Sequence, residues 1–231
     1  MGVFRPPRRG RFILNADRTD GPSGAVEFDD LHFVRLDETP DEMFYSMARL
    51  VTHIDEAACA ALAAHYDRQL TDGSRILDLM SSCVSHLPDG LSPASVVGHG
   101  MNTQELAANP QLDSYFVQNL NKNPELPFED GSFDACLIAV SVQYLTDPVR
   151  VFAEIGRILA PGGVLIVSFS NRMFPTKAVA IWRSLDDAGH QQYVAACMEK
   201  SGGFAEIGIS DLSPMPGRSD PLFSVEGRTP D

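Results

Sequence analysis

LPFEDGSFDACLIAVSVQYLTDPVRVFAEIGRILAPGGVLIVSFS, residues 126–170, sets the architecture of the chain. Within it, residues 135–142 form a nearly unbroken apolar run of strand length, which suits a strand covered on both faces. Asp147 and Pro148 then open a helix, the acid at the cap position and the proline at the first helical position. Val151, Phe152, Ile155, Ile158 and Leu159 recur at helical spacing, while Arg150, Glu154 and Arg157 fall elsewhere. Pro161-Gly162-Gly163 stops the helix, and residues 164–169 make a second apolar, β-branched strand. Strand, helix and strand in about 35 residues form one βαβ unit with a right-handed crossover.

Outward from this unit, further strands are expected over residues 75–79, 94–98, 115–117, 204–209 and 222–225. Residues 31–34 read as a short extended segment. A first helix starts in the acidic run 37–42 and continues through Met43, Phe44, Met47, Leu50 and Val51. A second runs from near Asp55 to Leu70 and stops at Thr71-Asp72-Gly73. Short helices follow over 103–109 and 178–183, and another over 190–199.

With 231 residues the chain can bury one full α/β core, so one domain with extensions is expected. A net charge of −13 argues against a nucleic-acid groove and against an anionic membrane surface. The arginines at 5, 8, 9 and 11 are the exception, in a Pro- and Gly-rich beginning without periodicity that reads as an arm. The four cysteines have neither zinc spacing nor a disulfide framework, and Cys136 reads as a small apolar filler. No apolar run approaches membrane-spanning length, and the N-terminus lacks the apolar middle of a signal peptide. A cytoplasmic monomer or homodimer is the expectation.

The segments LPFEDGSFD (126–134) and LAPGG (159–163) resemble signatures of the class I S-adenosylmethionine-dependent methyltransferases. That resemblance implies an α/β, Rossmann-like fold: a seven-stranded mixed sheet in the order 3-2-1-4-5-7-6, with helices on both faces and an N-terminal helical lid. It divides the chain into an arm (1–30), the lid (31–72) and the methyltransferase domain (73–231). In the wider superfamily the first strand ends in an acid and a run of glycines, which let the backbone approach the cofactor. Here Asp78 is kept, but Met80, Ser82 and Val84 stand at the glycine positions, and Pro88-Asp89-Gly90 cuts short the helix that should follow. The segments LDLMSSCVSHLP (77–88), VGHGMNTQELAANP (97–110) and FSNRMFPTKAVAIW (169–182) resemble a glycine-poor subgroup of bacteria, cyanobacteria and plants. So do FYSMARLVTHIDEAA (44–58) and PGRSDP (216–221).

The resemblance implies S-adenosyl-L-methionine as cofactor. Its implied contacts are Asp78, Met80, Ser81 and Ser82 after the first strand, and Gly100, Met101 and Asn102 after the second. Asn119 and Leu120 after the third strand and Val140 after the fourth complete the set. Gly100 stands where relatives carry a ribose-binding acid, so Asn102 or Glu105 takes that role, with His99 beside it. Asn119 replaces the acid that meets the adenine amino group, and the hydroxyls of Ser81 and Ser82 replace lost backbone contacts.

Methyl transfer from a sulfonium is an in-line displacement, so positioning, exclusion of water and removal of a proton are what the protein must supply. No metal is required, because the cofactor carries the electrophile. His86, a few residues past the first strand, faces the cleft as a base; the alternative is a cap. His53 and Asp55 join the two N-terminal helices over the site, with helix capping the plainer reading of Asp55. Tyr45 and Arg49 share a helical face from which they can orient a substrate; packing on the sheet is the alternative. Gln143 and Tyr144 after the fourth strand, and Asn171 and Arg172 after the fifth, are further substrate contacts, with Lys177 and Trp182 beyond them as contacts or core filling. A small lid and no second domain favour a small-molecule acceptor. A thiol or sulfide needs the least from a modest base; a hydroxylated acceptor is the alternative. The competing reading is a catalytically silent binding or scaffold protein on the same fold.

Overall fold

A computed structural model describes residues 28–231. Most of the arm expected over residues 1–30 lies outside the described residues. The strands are β1 (Arg75–Leu79), β2 (Ser95–Gly100), β3 (Ser114–Val117), β4 (Phe133–Ala139), β5 (Leu159–Phe169), β6 (Glu206–Asp211) and β7 (Phe223–Arg228). They form one seven-stranded sheet in the order β3-β2-β1-β4-β5-β7-β6, as expected. β1 to β5 pair in parallel, and β7 runs antiparallel to β5 and β6. The helices are α1 (Asp41–Phe44), α2 (Glu56–Gln69), α3 (Thr103–Ala107), α4 (Pro148–Ile158), α5 (Ala180–Ser184) and α6 (Asp187–Ser201).

The apolar run in β4 arises because the sheet is covered on both sides. Cys136 and Ile138 join one core, together with Leu77, Leu79, Leu165 and Val167. Ala135 and Leu137 join the other, with Ile76, Val164 and Ile166. Neither face of the central strands meets water, so no polar alternation survives. α4 and α6 supply Val151, Phe152, Ile155, Val194 and Met198 to the first core. α2 supplies Ala58, Leu62 and Tyr66 to the second, all fully buried. α4 begins as its sequence dictates: the Asp147 side chain accepts from the Arg150 amide, and Pro148 occupies the first turn.

The N-terminal cover is narrower than the pattern suggested. α2 is a core helix, so the part of residues 31–72 that lies over the sheet ends is the stretch before it. There the helix expected through Val51 is the single turn α1, and Met47 is 75 % exposed. The backbone groups of this stretch find partners elsewhere instead of in a helical ladder. Asn102 donates to the Tyr45 carbonyl (2.8 Å), Glu105 accepts from the Arg49 amide (2.7 Å), and the Arg49 guanidinium donates to the Phe44 carbonyl (3.2 Å). Of residues 31–34, expected to be extended, only Val34 is. Asp30–Phe33 is a 3-10 turn, closed by reciprocal bonds between Asp29 and His32.

Strand order reverses between β1 and β4, which are neighbours although β2 and β3 intervene in sequence. Their carboxyl ends therefore open a crevice. Residues 80–94, which cross from β1 to β2, contain no helix. Among the described residues no helix is long and apolar enough to cross a membrane.

Candidate functional site

The crevice is a cavity of about 1060 Å³, counting its open mouth. Its floor begins with Asp78 on β1, 2 % exposed, whose carboxylate accepts from the Ser81 hydroxyl at 2.5 Å. Burial pushes its pKa up to about 6, against the opposing bonds from Ser81 and Ser85. No cation lies among the groups that shift it.

After Asp78 the chain turns sharply without glycine. Met80 adopts φ 58°, a left-handed backbone, and its amide donates to His99 Nδ1 at 3.1 Å. The Ser81 amide donates to the His99 carbonyl at 2.6 Å. A Cβ on Gly100 would stand 2.7 Å from the Ser81 carbonyl, so the close approach is made by a glycine on the facing strand. Ser82 donates to Glu105 (2.8 Å). Asn102 caps α3 through its oxygen and spends its amide on the carbonyls of Tyr45 and Ser46. The Asn119 oxygen accepts from the Asn121 amide, and its NH2 donates to Glu42. Val140, the residue after β4, turns at φ 52°, and the next side chain, Ser141, holds a buried hydroxyl without a partner among the described residues.

The other end of the cavity is aromatic. Tyr144 stacks on Phe174 (5.8 Å between centroids), and its hydroxyl accepts from the Phe174 amide at 2.8 Å. Phe44 and His53 meet the Phe174 ring edge-on at 5.4 and 5.6 Å. Burial pushes the Tyr144 hydroxyl up to about 12 and raises that of Tyr45 further. His86, at φ 57°, is pushed down to about 4, chiefly by burial and then by the neighbouring His53. It is an unprotonated imidazole at neutral pH.

The cavity gathers the expected donor contacts Asp78, Met80, Ser81, Ser82, Gly100, Met101, Asn102, Asn119, Leu120 and Val140. It also gathers His86, Tyr45, His53 and Tyr144. Five expected residues stand off it. Asp55 caps α2 by accepting from the Ala58 amide, and accepts from the Asp220 amide at 2.7 Å. Arg49 lies over the rings of Phe44 and Phe174. Gln143 is fully buried and donates to the Val140 carbonyl. Arg172 pairs with Asp220 at the surface, beside exposed Asn171. Lys177 and Trp182 are buried as well, the lysine holding the carbonyls of Asp37 (3.1 Å) and Thr39 (2.6 Å).

Among residues not selected from sequence, Asp41, Asn121, Ser141 and Phe174 line the cavity; Glu105, the expected alternative to Asn102 at the ribose, and His99 beside it do too. Phe174 lies in the quoted 169–182 segment, where the polar Asn171 and Arg172 drew attention instead.

Residues 92–167 match a family model described as a methyltransferase domain. A demethylmenaquinone methyltransferase of Mycobacterium sp. (strain KMS) is 35% identical over 123 residues, covering 51% of this chain and 50% of that protein. The chain spans half or less of the length of the first curated relatives it matches. An S-adenosylmethionine-dependent methyltransferase from Mesorhizobium loti superposes with a TM-score of 0.52 at 18% identity, over 73% of this chain and 98% of that one. Haemonchus contortus phosphoethanolamine N-methyltransferase 2, solved with S-adenosyl-L-methionine, gives 0.51 at 15% identity, over 74% and 52%. These structural likenesses are likenesses of fold.

Proposed function

We propose that the chain is an S-adenosylmethionine-dependent methyltransferase acting on a small-molecule acceptor, a thiol or sulfide first. We place it in the glycine-poor subgroup, with residues 31–55 as the cover and residues 56–231 as the methyltransferase domain. The observation that carries the reading is the Asp78 carboxylate. It is buried at the switch point without a compensating cation, and the ammonium of an amino-acid moiety supplies one. The residues present fit the donor: the clearance at Gly100 leaves its turn close-packed, and the orphan Ser141 hydroxyl offers a free polar contact.

S-adenosylmethionine, when bound, supplies the electrophilic methyl group. Asp78, Met80, Ser81 and Ser82 hold its amino-acid end; Gly100, Met101, Asn102 and Glu105 hold the ribose. Asn119, Leu120 and Val140 line the base. On the acceptor side, Tyr45, His53 and Tyr144 orient the acceptor against Phe174, and His86 takes its proton. A base near pKa 4 is weak, so an acidic proton such as a thiol's suits it far better than that of an aliphatic alcohol. The lysine and arginine nearest the aromatic end, Lys177 and Arg49, are engaged with carbonyls and rings, which favours an acceptor without negative charge. Asp55, Arg49, Gln143, Asn171 and Arg172 shape the surroundings.

The missing glycines at Met80, Ser82 and Val84 favour the second reading, a silent binding protein. Calorimetry with S-adenosylmethionine and S-adenosylhomocysteine, followed by a screen of thiols and phenols, separates the two. Binding of neither below millimolar concentration sinks the proposal, and binding without any methylated product supports the silent reading. In the active case His86→Ala lowers turnover by about 10²-fold while donor affinity stays within about threefold. Equal loss of both removes His86 from the role of base.

A further inference from the structure

We propose that His99 is a positioning residue for the donor, a strut that joins the turn after β1 to the turn after β3 and takes over the work of the absent glycines. This rests on the donor reading above. The ring is 1 % exposed and packs against Phe116 at 4.9 Å. Its two nitrogens meet two backbone groups of opposite polarity. Nδ1 accepts from the Met80 amide (3.1 Å), and Nε2 donates to the Gln118 carbonyl (2.9 Å). An amide can only donate and a carbonyl only accept, so these partners fix the tautomer with a single proton on Nε2.

The strut bears on both halves of the cavity. Met80 is held at φ 58°, a conformation that a methionine rarely adopts unaided. The His99 carbonyl receives the Ser81 amide, and Gly100, next in the chain, leaves the room that this contact needs. Gln118 leads directly into Asn119 and Leu120. Glycines in the turn would permit such a fold but would not hold it. Here one imidazole fixes the amino-acid end of the berth at a set spacing from the adenine end.

A second proton on the ring would set N–H against the Met80 N–H and break the strut. Burial keeps that proton off, pushing the pKa down to about 4. The titratable groups facing the same cavity are Asp78 on β1, His86 on the turn, Glu105 on α3, Tyr144 past β4, and Asp41, Tyr45 and His53 on the cover. The turn after β3 contributes Gln118, Asn119, Leu120 and Asn121, none of them titratable. None of these groups is hydrogen-bonded to His99, so its charge state follows from burial and from the two backbone partners.

The test uses the whole chain with S-adenosylhomocysteine as probe. ¹⁵N NMR of the free protein should show His99 neutral, protonated on Nε2, from pH 8 to 5.5. His99→Phe keeps the ring and loses both bonds. Its Met80 and Ser81 amides should exchange about tenfold faster or more, amides of β4 being unchanged, and calorimetry should show affinity about tenfold or more weaker. His99→Asn keeps an acceptor near Nδ1 and should recover most of that affinity. An Nδ1–H tautomer, unchanged Met80 exchange in His99→Phe, or unchanged probe affinity there overturns the proposal. If His99→Phe fails to fold, His99→Gln, which loses only the Nδ1 acceptor, takes its place with the same readings. If the wild-type chain shows the expected tautomer and exchange but binds no probe, the donor reading has failed, and with it the claim that the strut serves a donor.

Discussion

His53, Met80, His86 and Val140 are the non-glycine residues of the described chain with positive φ, and all of them line the cavity. Each such residue costs on the order of 1–3 kcal/mol and persists only where its surroundings over-determine it. For Val140, whose branched Cβ makes the left-handed region hardest, the tie is a hydrogen bond from its amide to the Ser168 carbonyl at 2.8 Å. Asp78 carries a second cost. Its folded pKa, about 6, lies above the ordinary 3.8, so the fold is penalised increasingly as the pH rises from 3.8 and fully above about 6. Asp78→Asn should therefore raise stability at pH 7.5 by about 1–2 kcal/mol, discounting the lost Ser85 bond, and lift the melting temperature by a few degrees. It should also weaken donor binding. A melt that falls, or donor affinity that holds, contradicts this account of Asp78.

At the scale of elements, the cover is held by polar ties at its base. Lys177 is fully buried, 3.3 Å from the Asp41 carboxylate, and donates to the Asp37 and Thr39 carbonyls. Arg35 donates to the same Asp41 oxygen at 2.7 Å, and Asn121 to the other at 3.1 Å. Lys177→Met matches the stem in length but strips the Asp37 and Thr39 carbonyls of this donor and leaves Asp41 to Arg35 and Asn121. We expect a loss of about 3 kcal/mol in urea unfolding. Proteolysis should also appear between residues 41 and 54 at protease levels that leave α4 and α6 intact. If the variant is as stable and as resistant as wild type, Lys177 is not what seats the cover. α4 shows the opposite case, an element specified locally: its Asp147 cap, Pro148 and the stripe Val151, Phe152, Ile155 and Ile158 were legible in the quoted stretch and are present, while Leu159, read with them, instead opens β5.

For the molecule as a whole, buried titrating groups set the dependence of stability on pH. His86 and His99 have folded pKa values near 4 against an ordinary 6.5. Their neutral rings favour the fold fully above pH 6.5, and that contribution is lost as the pH falls toward 4. Asp78 acts in the opposite sense, stabilising the fold as pH drops from about 6 to 3.8. Two histidines outweigh one aspartate, so stability should fall by on the order of 2 kcal/mol between pH 7.5 and pH 5. For a chain of this length that is a drop of roughly 4–8 °C in melting temperature. Calorimetric melts at the two pH values check this. An unchanged or higher melting temperature at pH 5 means that the rings are charged in the folded state.

The sequence by itself determined the layered α/β build. Apolar periodicity records which faces must leave water, and caps and Pro-Gly breaks record where elements stop, both being properties of neighbours along the chain. The order of the sheet and the donor-side residues came from resemblance, and the cavity does collect those residues. The tertiary structure alone decided that residues 45–51 are not helical, that Gly100 supplies the close approach to Ser81, that Glu105 ties down the Arg49 amide, and that Phe174 enters the site. Each depends on a polar or steric partner far away in sequence: Glu105 for the Arg49 amide, Lys177 for the Asp37 carbonyl, Gly100 for Ser81. Such partners satisfy backbone groups and exclude a Cβ without leaving any period in the sequence, because the crossing of chain segments, rather than local burial, selects them.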